Sequence, residues 1–251
     1  MPDFDSAGVR IHYEVFGAGR PLVLVHGFVA SLRANWVATG WTETLSPVRQ
    51  VIALDCRGHG ESDKPHNPQA YAAHEMTDDV VRLMDHLGVG TADIFGYSMG
   101  AGISLRALVR HPQRFASAVL GGIGDVQRRG GWRPGVAEAL LADDPSSISD
   151  PVAKAFRMFA EGLQADRRAL AALQRAERAP VERAQLAAIA VPVLIVNGAN
   201  DALAGSAHEM TSAIPGARLV ELPEKDHLTA VADGGFKQTV LDFLNEPARV
   251  R

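Results

Sequence analysis

The sequence predicts an α/β fold in which a mainly parallel sheet is covered by helices on both faces. Short apolar runs recur along the chain, and most of them lack the polar alternation of a strand with one face in water. Strands buried on both faces have this appearance and are typical of parallel sheets. Segments with helical spacing separate the runs, which indicates repeated β-α units. With 251 residues, 47% of them hydrophobic, the chain is long enough for one such domain with an insertion.

Seven runs are predicted to form strands. The first alternates polar and apolar residues, so we expect it to be an antiparallel strand at the edge of the sheet. The others are largely continuous apolar runs bounded by turn residues, as parallel strands require. In chain order the predicted strands are 9–15, 22–25, 51–54, 92–95, 117–120, 193–196 and 218–222.

Three helices are predicted on the sheet, over 77–87, 99–110 and 230–244. In the first, apolar residues recur at positions three and four apart, and Gly88 supplies the end. The second stops before Pro112, because the residue preceding a proline is disfavoured in a helix. These helices would cover the faces of the sheet.

Residues 125–190 are predicted to form a helical cap. This segment contains no credible strand, and its Ala, Arg and Leu residues follow helical spacing. Because it lies between two predicted strands, we expect it above one end of the sheet, where it would shape a pocket and exclude water. The predicted organisation is a core domain of residues 1–124 and 191–251 with a cap at 125–190.

Composition and charge narrow the range of functions. The 25 Lys and Arg residues against 29 Asp and Glu give a net charge of −4, which disfavours nucleic acid and anionic membranes as partners. The start lacks the pattern of a signal peptide and no apolar run could span a bilayer, so a cytoplasmic protein is expected. The single cysteine, Cys56, excludes an internal disulfide and a Cys-rich zinc site. The histidines show no ligand spacing, so no metal is implied.

One short stretch places a serine where a strand turns into a helix. Gly96-Tyr97-Ser98-Met99-Gly100 matches the pattern G-x-S-x-G and has the predicted strand before it and the predicted helix after it. Such a turn is sharp, and a side chain in place of either glycine would collide with neighbouring backbone. Taken alone, Ser98 would more often be a helix N-cap than a nucleophile. Other motifs in the sequence are needed to distinguish between these two roles.

Four signals together make the chain resemble the α/β-hydrolase fold family, and in particular its small esterase, lactonase and perhydrolase branches. They are the serine turn, His26-Gly27-Phe28 after one strand, residues 55–62 after the next, and an acid followed by a histidine after the last two strands. The resemblance covers nearly the whole chain. It implies an α/β-hydrolase fold, and it implies that His26, Asp55, Arg57, His59 and Ser62 brace the loops around the serine.

The resemblance also implies the site residues. Ser98 would be the nucleophile and His227 the base, with Asp201 as the acid that orients the histidine. Asp125, which follows an earlier strand, is the alternative acid. The backbone N–H groups of Phe28 and Met99 would form the oxyanion hole.

The expected activity is hydrolysis of a small-molecule carboxylic ester through an acyl-enzyme, without a cofactor. Hydrolysis of lactones, thioesters or carbon–carbon bonds and perhydrolysis would use the same residues, and a slow ligand receptor on this fold is a further alternative. In the cap we expect Val152, Phe156, Phe159 and Leu163 to line an apolar acyl site together with Phe28. The sequence does not indicate the oligomeric state.

Overall fold

The computed structural model describes residues 2–131 and 133–246. These residues form a single β-sheet with helices around it. Within those residues eight strands are joined in the order β1-β2-β4-β3-β5-β6-β7-β8. The strands are β1 (Asp3–Ser6), β2 (Val9–Phe16), β3 (Pro21–Val25), β4 (Gln50–Leu54), β5 (Ala92–Tyr97), β6 (Phe115–Gly121), β7 (Val193–Gly198) and β8 (Arg218–Leu222). Strands β3 to β8 are parallel, and β2 pairs antiparallel with β4. The predicted α/β fold is confirmed.

Strand β1 was not predicted, and it changes the place of β2. It pairs antiparallel with β2, so β1 and not β2 forms the edge of the sheet. The two are joined by a tight turn in which Ala7 and Gly8 both have positive φ, 55° and 83°, the conformation of a two-residue hairpin turn. The residues of β1, Asp-Phe-Asp-Ser, have little β propensity, since Asp is depleted in strands. The prediction that β2 is an edge strand is therefore wrong.

Helices cover both faces of the sheet. They are α1 (Trp41–Leu45), α2 (Ala73–His86), α3 (Met99–Arg110), α4 (Asp125–Arg128), α5 (Val136–Leu141), α6 (Pro151–Gly162), α7 (Arg167–Arg175), α8 (Arg183–Ala187), α9 (His208–Ala213) and α10 (Gly234–Asn245). The bounds of α3 agree with the prediction. Helix α10 begins later than predicted, because the Asp233 carboxylate accepts the N–H of Phe236 and caps the helix there. Among these described helices, none combines the length and the apolar character needed to cross a bilayer.

Two apolar clusters hold these layers together. On one face, α2 and α3 pack on the sheet through residues such as Val80 and Leu105. On the other face, Trp41 lies between strand and helix, with its ring 4.8 Å from that of Phe95 and 5.1 Å from that of Phe236. Burial of such aromatic surface stabilises the packing of α1 and α10 on the sheet. The ends of the parallel strands are thereby fixed relative to one another.

Between β6 and β7 the chain forms the five helices α4 to α8, with no strand among the residues described there, 122–131 and 133–192. Helices α5, α6 and α7 bury a third apolar cluster that includes Val136, Leu140 and Leu170. Leu173, one turn further along α7, packs into the cluster on the sheet. A helical segment is therefore present where one was predicted, whereas its division from the core as a cap stays a prediction.

Candidate active site

Ser98 occupies a strained turn between β5 and α3. Its φ is +54°, a value that residues with a side chain rarely adopt. A methyl group on Gly96 would overlap the carbonyl oxygen of Gly100, and one on Gly100 would overlap that of Val25. Both glycines are therefore required by close backbone approach, as predicted, and the turn presents Ser98 at the end of the sheet.

A row of hydrogen bonds joins Ser98 to two residues that are distant in the sequence. His227 Nε2 lies 2.8 Å from Ser98 Oγ, and His227 Nδ1 lies 2.7 Å from Asp201 Oδ2. An ionised carboxylate can only accept, so Nδ1–H donates to Asp201 and Nε2 is left to accept the hydroxyl proton of Ser98. The structure thus brings together the three residues predicted as nucleophile, base and acid.

The Asp201 carboxylate is fixed from its other side. Its Oδ1 accepts the N–H groups of Leu203 and Ala204 at 3.0 and 2.9 Å, and its side chain is 1% exposed. The alternative acid, Asp125, instead lies near the guanidinium of Arg128, with Oδ1 3.4 Å from Nε. Of the two candidate acids, Asp201 is the one that contacts His227.

Two residues that the sequence reasoning did not select hold His227 in place. The hydroxyl of Tyr97 donates to the main-chain oxygen of His227 at 2.7 Å, and burial raises the pKa of Tyr97, so this hydroxyl keeps its proton. Gly122 has a φ of +59°, and a methyl group there would lie 3.0 Å from Cε1 of the His227 ring. The position of Tyr97 inside the G-x-S-x-G motif was the available signal for its role.

The loops that follow β7 and β8 are bonded to each other. The N–H of Asn200 donates to the carbonyl of Lys225 at 2.8 Å, and a side chain at Gly198 would overlap that same carbonyl oxygen. Asp226 Oδ1 accepts the N–H groups of Leu228 and Thr229, which closes a tight turn around His227. Asp201 and His227 are therefore set relative to one another by main-chain contacts.

The backbone at Gly27 lies against Ser98. A methyl group on Gly27 would stand 3.5 Å from Ser98 Cβ, and the N–H of Gly27 donates to Oδ1 of buried Asn35 at 2.9 Å. Met99 is the first residue of α3, so its N–H has no acceptor within the helix. The two N–H groups predicted for an oxyanion hole thus belong to the residues that directly follow Gly27 and Ser98 in the chain.

Polar residues under this loop form a buried network, as predicted. Asp55 accepts the N–H groups of Leu32 and Glu61 at 2.7 and 2.8 Å, and the hydroxyl of Ser62 donates to its carbonyl at 2.6 Å. His26 accepts the N–H of Cys56 at Nε2 and donates from Nδ1 to the carbonyl of Gly27. Burial lowers the pKa of His26, which keeps this imidazole neutral.

Arg57 and His59 complete this network. The Arg57 guanidinium binds Asp79 through two hydrogen bonds of 2.7 Å, a geometry that suits the planar group. His59 contacts the carbonyl of Arg57 through Nδ1, and burial lowers its pKa to about 3. Both residues therefore brace the loops and do not reach Ser98 through these contacts.

A cavity of about 70 Å³ lies above Ser98 and is lined on one side by the helical segment. The core contributes Phe28, Ser98, Met99 and His227, and residues of 125–190 contribute Gln127, Phe156, Leu173 and Gln174, among others. The rings of Phe28 and Phe156 meet edge to face with their centroids 5.5 Å apart. The segment 125–190 therefore borders the candidate site.

Three of the four residues predicted to line this cavity from α6 do not do so. Phe159 and Leu163 are each 41% exposed, and Val152 is half-buried away from the lining. The buried stripe of α6 instead contains Arg157, which donates to the carbonyls of Ala139 and Ala142 near the end of α5. A buried arginine that binds main-chain carbonyls takes the place of large apolar side chains here, so hydrophobicity alone pointed to the wrong face. Phe156 is the predicted residue that does line the cavity.

Comparison with known proteins gives matches that extend over nearly the whole chain. The sequence model of the α/β hydrolase fold matches residues 20–145. The solved structure of a hydrolase from Pseudomonas aeruginosa PA01 is 29% identical with a TM-score of 0.80, covering 98% of each chain. An enol-lactonase from Burkholderia xenovorans LB400 is 28% identical with a TM-score of 0.79, covering 98% of this chain and all of its own.

Curated relatives are longer than the region they share with this chain. A dihydrolipoyllysine-residue acetyltransferase component of an acetoin cleaving system from Pseudomonas putida is 32% identical over 93% of this chain. The chain spans 57 to 66% of the length of three such relatives. The matched sequence, the parallel sheet and the serine turn after β5 have one explanation in common: the chain belongs to the α/β-hydrolase fold family.

Proposed function

We propose that the protein is a serine hydrolase that cleaves carboxylic esters through an acyl-enzyme. The observation that carries this proposal is the hydrogen-bonded row from Ser98 through His227 to Asp201 at the mouth of a cavity. In such a row the imidazole can take the serine proton as the oxygen attacks, and the carboxylate favours the imidazolium that forms. Segment 125–190 acts in this proposal as the cap that encloses the substrate.

In the first half of the reaction, Ser98 Oγ attacks the ester carbonyl carbon while its proton passes to Nε2 of His227. The carbonyl oxygen becomes negative and is bound by the N–H groups of Phe28 and Met99. When the intermediate collapses, the bond to the alcohol oxygen breaks and His227 returns its proton to that oxygen. The alcohol leaves, and the acyl group stays on Ser98.

In the second half, water attacks the acyl carbon and gives its proton to His227. The bond to Ser98 Oγ then breaks, the proton returns to the serine, and the carboxylic acid is released. The start of α3 adds its dipole to the same side of the oxyanion. Loss of one oxyanion donor costs about 2.7–4 kcal/mol in known enzymes, so the backbone of Phe28 and Met99 carries a large share of the rate.

The cavity favours short substrates. Its volume of about 70 Å³ is well below the roughly 300–1,000 Å³ of sites for drug-sized ligands. We therefore expect acetyl to butanoyl esters to be preferred over long acyl chains. The preference should be graded, since one methylene is worth only about 1–3 kcal/mol of discrimination.

The experiment that tests this function is covalent labelling with a fluorophosphonate, followed by mass spectrometry of the adduct. We expect one adduct, on Ser98, and a burst of alcohol release from a chromogenic acetate ester as the acyl-enzyme accumulates. Ser98→Ala should lose the label and about four to six orders of magnitude of turnover. An adduct on another serine, or full turnover by the Ser98→Ala variant, would refute the mechanism.

Hydrolysis of a lactone is the second candidate, favoured by the likeness to the enol-lactonase over nearly the whole chain. A lactone and an open-chain ester of equal carbon number would be compared by kcat/KM. If kcat/KM for the lactone is at least about tenfold higher than for the open-chain ester, ring opening is the principal activity. Thioesters, peroxide and a carbon–carbon bond substrate belong in the same assay, and binding without turnover of any of them would indicate a receptor.

A further inference from the structure

Three arginines line the candidate cavity, and none has an acidic partner among the residues that the structure describes. Arg106 lies on α3, Arg133 lies before α5, and Arg178 follows α7. Among the described residues none of the three lies within ion-pair distance of a carboxylate, and the described lining contains no Asp or Glu. Asp201, the acid behind His227, has a side chain only 1% exposed and is bonded on both oxygens. The wall of the cavity therefore carries excess positive charge.

The protein environment disfavours the charged form of two of these guanidinium groups, those of Arg106 and Arg178. Burial lowers the pKa of Arg106 to about 10, and burial together with the charge of Arg106 lowers the pKa of Arg178 to about 10. Both groups remain protonated at neutral pH. Like charges that are partly removed from water and lack a counter-ion are unfavourable, and an anion between them would relieve that cost.

Hydrogen bonds to the backbone explain the orientation of these arginines and leave their charge unexplained. Arg106 donates to the carbonyls of Gly102 and Ala179, each at 3.1 Å, and Arg178 donates to that of Leu173 at 2.8 Å. The last bond lies near the end of α7, where a cation is favoured. Neutral donors could satisfy these carbonyls. The concentration of three guanidinium groups around one cavity needs a further reason.

Gln174 provides an independent indication of a polar ligand. It lines the same cavity, its side chain is 6% exposed, and its Oε1 is buried with no hydrogen-bond partner among the residues that the structure describes. A buried amide oxygen without a partner is costly. The same side chain can bind a polar group of a ligand, either as acceptor or, after rotation of the amide, as donor.

We infer that the cavity selects esters that carry a second, anionic group, a carboxylate, which binds to Arg106, Arg133 and Arg178 while the ester carbonyl lies at Ser98. The inference rests on the proposed function, because it names the substrate class of that same site. A carboxylate fits because it accepts the paired N–H groups of a guanidinium and is small enough for the cavity.

The test compares esters that differ only in charge. Ethyl hydrogen succinate is paired with ethyl succinamate, in which a neutral amide replaces the carboxylate, and acetoxyacetate is paired with acetoxyacetamide. The first pair carries the charge on the acyl side and the second on the alcohol side. In at least one pair we expect kcat/KM for the charged ester to exceed that for the amide by about tenfold or more. Hydrogen bonds between the guanidinium groups and a carboxylate are strong enough to produce a ratio of this size. Equal or faster turnover of the amide in both pairs would overturn the inference.

Variants identify the residues responsible. Arg106→Gln and Arg178→Gln should each lower the charged-to-neutral ratio of kcat/KM by about tenfold, whereas Arg178→Lys should restore part of it. Arg175→Gln is the matched control, because Arg175 lies on α7 next to this region but is exposed and borders the cavity nowhere. It removes the same charge and should leave the ratio unchanged. An unchanged ratio in all cavity variants would also contradict the inference.

Binding separates this inference from the proposed function. Calorimetry with the Ser98→Ala variant measures the affinity for the uncleaved esters, and the charged member of a pair should bind about tenfold more tightly. If the wild-type protein hydrolyses no ester but this charge preference in binding is present, the proposed function fails and the anion site stands. If esters are cleaved without any charge preference in binding or turnover, the function stands and the anion site fails. These measurements decide the matter even if an arginine variant does not fold.

Discussion

The backbone at Ser98 has a φ of +54°, which glycine adopts freely and other residues adopt at a cost of about 1–3 kcal/mol. Ser98→Gly should therefore unfold at a higher urea concentration than Ser98→Ala. We expect its free energy of unfolding to be about 1 kcal/mol larger, because the relief of backbone strain exceeds the extra entropy that glycine gives to the unfolded chain. Both variants should lack turnover, so the comparison isolates the backbone. Equal stability of the two would show that the turn stores no strain at this residue.

The acid that orients His227 can be identified by two conservative replacements. Asp201→Asn should reduce kcat on the order of 10⁴-fold, because an amide that donates to Nδ1 favours the wrong imidazole tautomer. Asp125→Asn is the control, since Asp125 lies beside Arg128 and not beside His227. Steady-state kinetics of both variants on one ester give the ranking. A larger loss for Asp125→Asn would move the acid to the loop after β6.

At the scale of elements, helix α6 offers a matched pair of phenylalanines. Phe156 lines the cavity and contacts Phe28, whereas Phe159, one turn away, is 41% exposed. We expect Phe156→Ala to shift relative kcat/KM among acyl chain lengths by about tenfold, in line with about 1–3 kcal/mol per methylene. Phe159→Ala should leave the ranking unchanged. If both variants behave alike, the cavity wall does not set specificity.

The elements that could be predicted are those that a short stretch of sequence identifies by its own pattern of polar and apolar residues. An alternating run identified β2 and largely continuous apolar runs identified β3 to β8, and G-x-S-x-G with the family order of residues indicated which strand ends carry Ser98, Asp201 and His227. Strand β1 escaped because its stability comes from main-chain pairing with β2 and not from its acidic residues. The inward face of α6 was predicted wrongly because the burial of Arg157 depends on carbonyls 15 and 18 residues earlier, near the end of α5. The residue spacing within α6 does not reveal that contact.

Within the site, contacts between distant loops could not be predicted. Tyr97 supports His227 across 130 residues of chain, and Asn35 reaches Gly27 from a short π-helical turn, Arg33–Val37. Neither contact leaves a spacing or a composition that can be recognised in the sequence. The uncompensated charge of the cavity arginines is likewise visible only when three separate segments are brought together.

At the scale of the whole molecule, the buried His59 makes stability depend on pH. Its pKa is lowered to about 3 in the folded chain, chiefly by burial and further by the charge of Lys64. In the unfolded chain a histidine titrates near 6.5, so between about pH 6.5 and 3 the unfolded state binds the extra proton. The stability contributed by neutral His59 is therefore complete above pH 6.5 and is lost as the pH falls through this window.

We expect the free energy of unfolding to fall more steeply with acid in the wild-type protein than in His59→Gln. Between pH 7.5 and 5 the difference should be about 2 kcal/mol, at about 1.4 kcal/mol for each pH unit below 6.5. Urea unfolding at the two pH values gives this difference even if the replacement changes stability at neutral pH. His86→Gln is the control, because His86 lies at the partly exposed end of α2. Parallel acid dependence in wild type and His59→Gln would contradict the prediction.

The distances along the chain between the site residues have a consequence for biosynthesis. Ser98 meets His227 across 129 residues, and the loop of His227 follows the last strand of the sheet. A ribosome-bound chain that has been made only as far as residue 200 holds the serine turn but has neither base nor acid. Domains generally fold as units during synthesis, so the proposed mechanism requires β8 to join the sheet before Ser98 can act as a nucleophile. Under the proposed mechanism, a nascent chain would not react with esters until translation has passed His227.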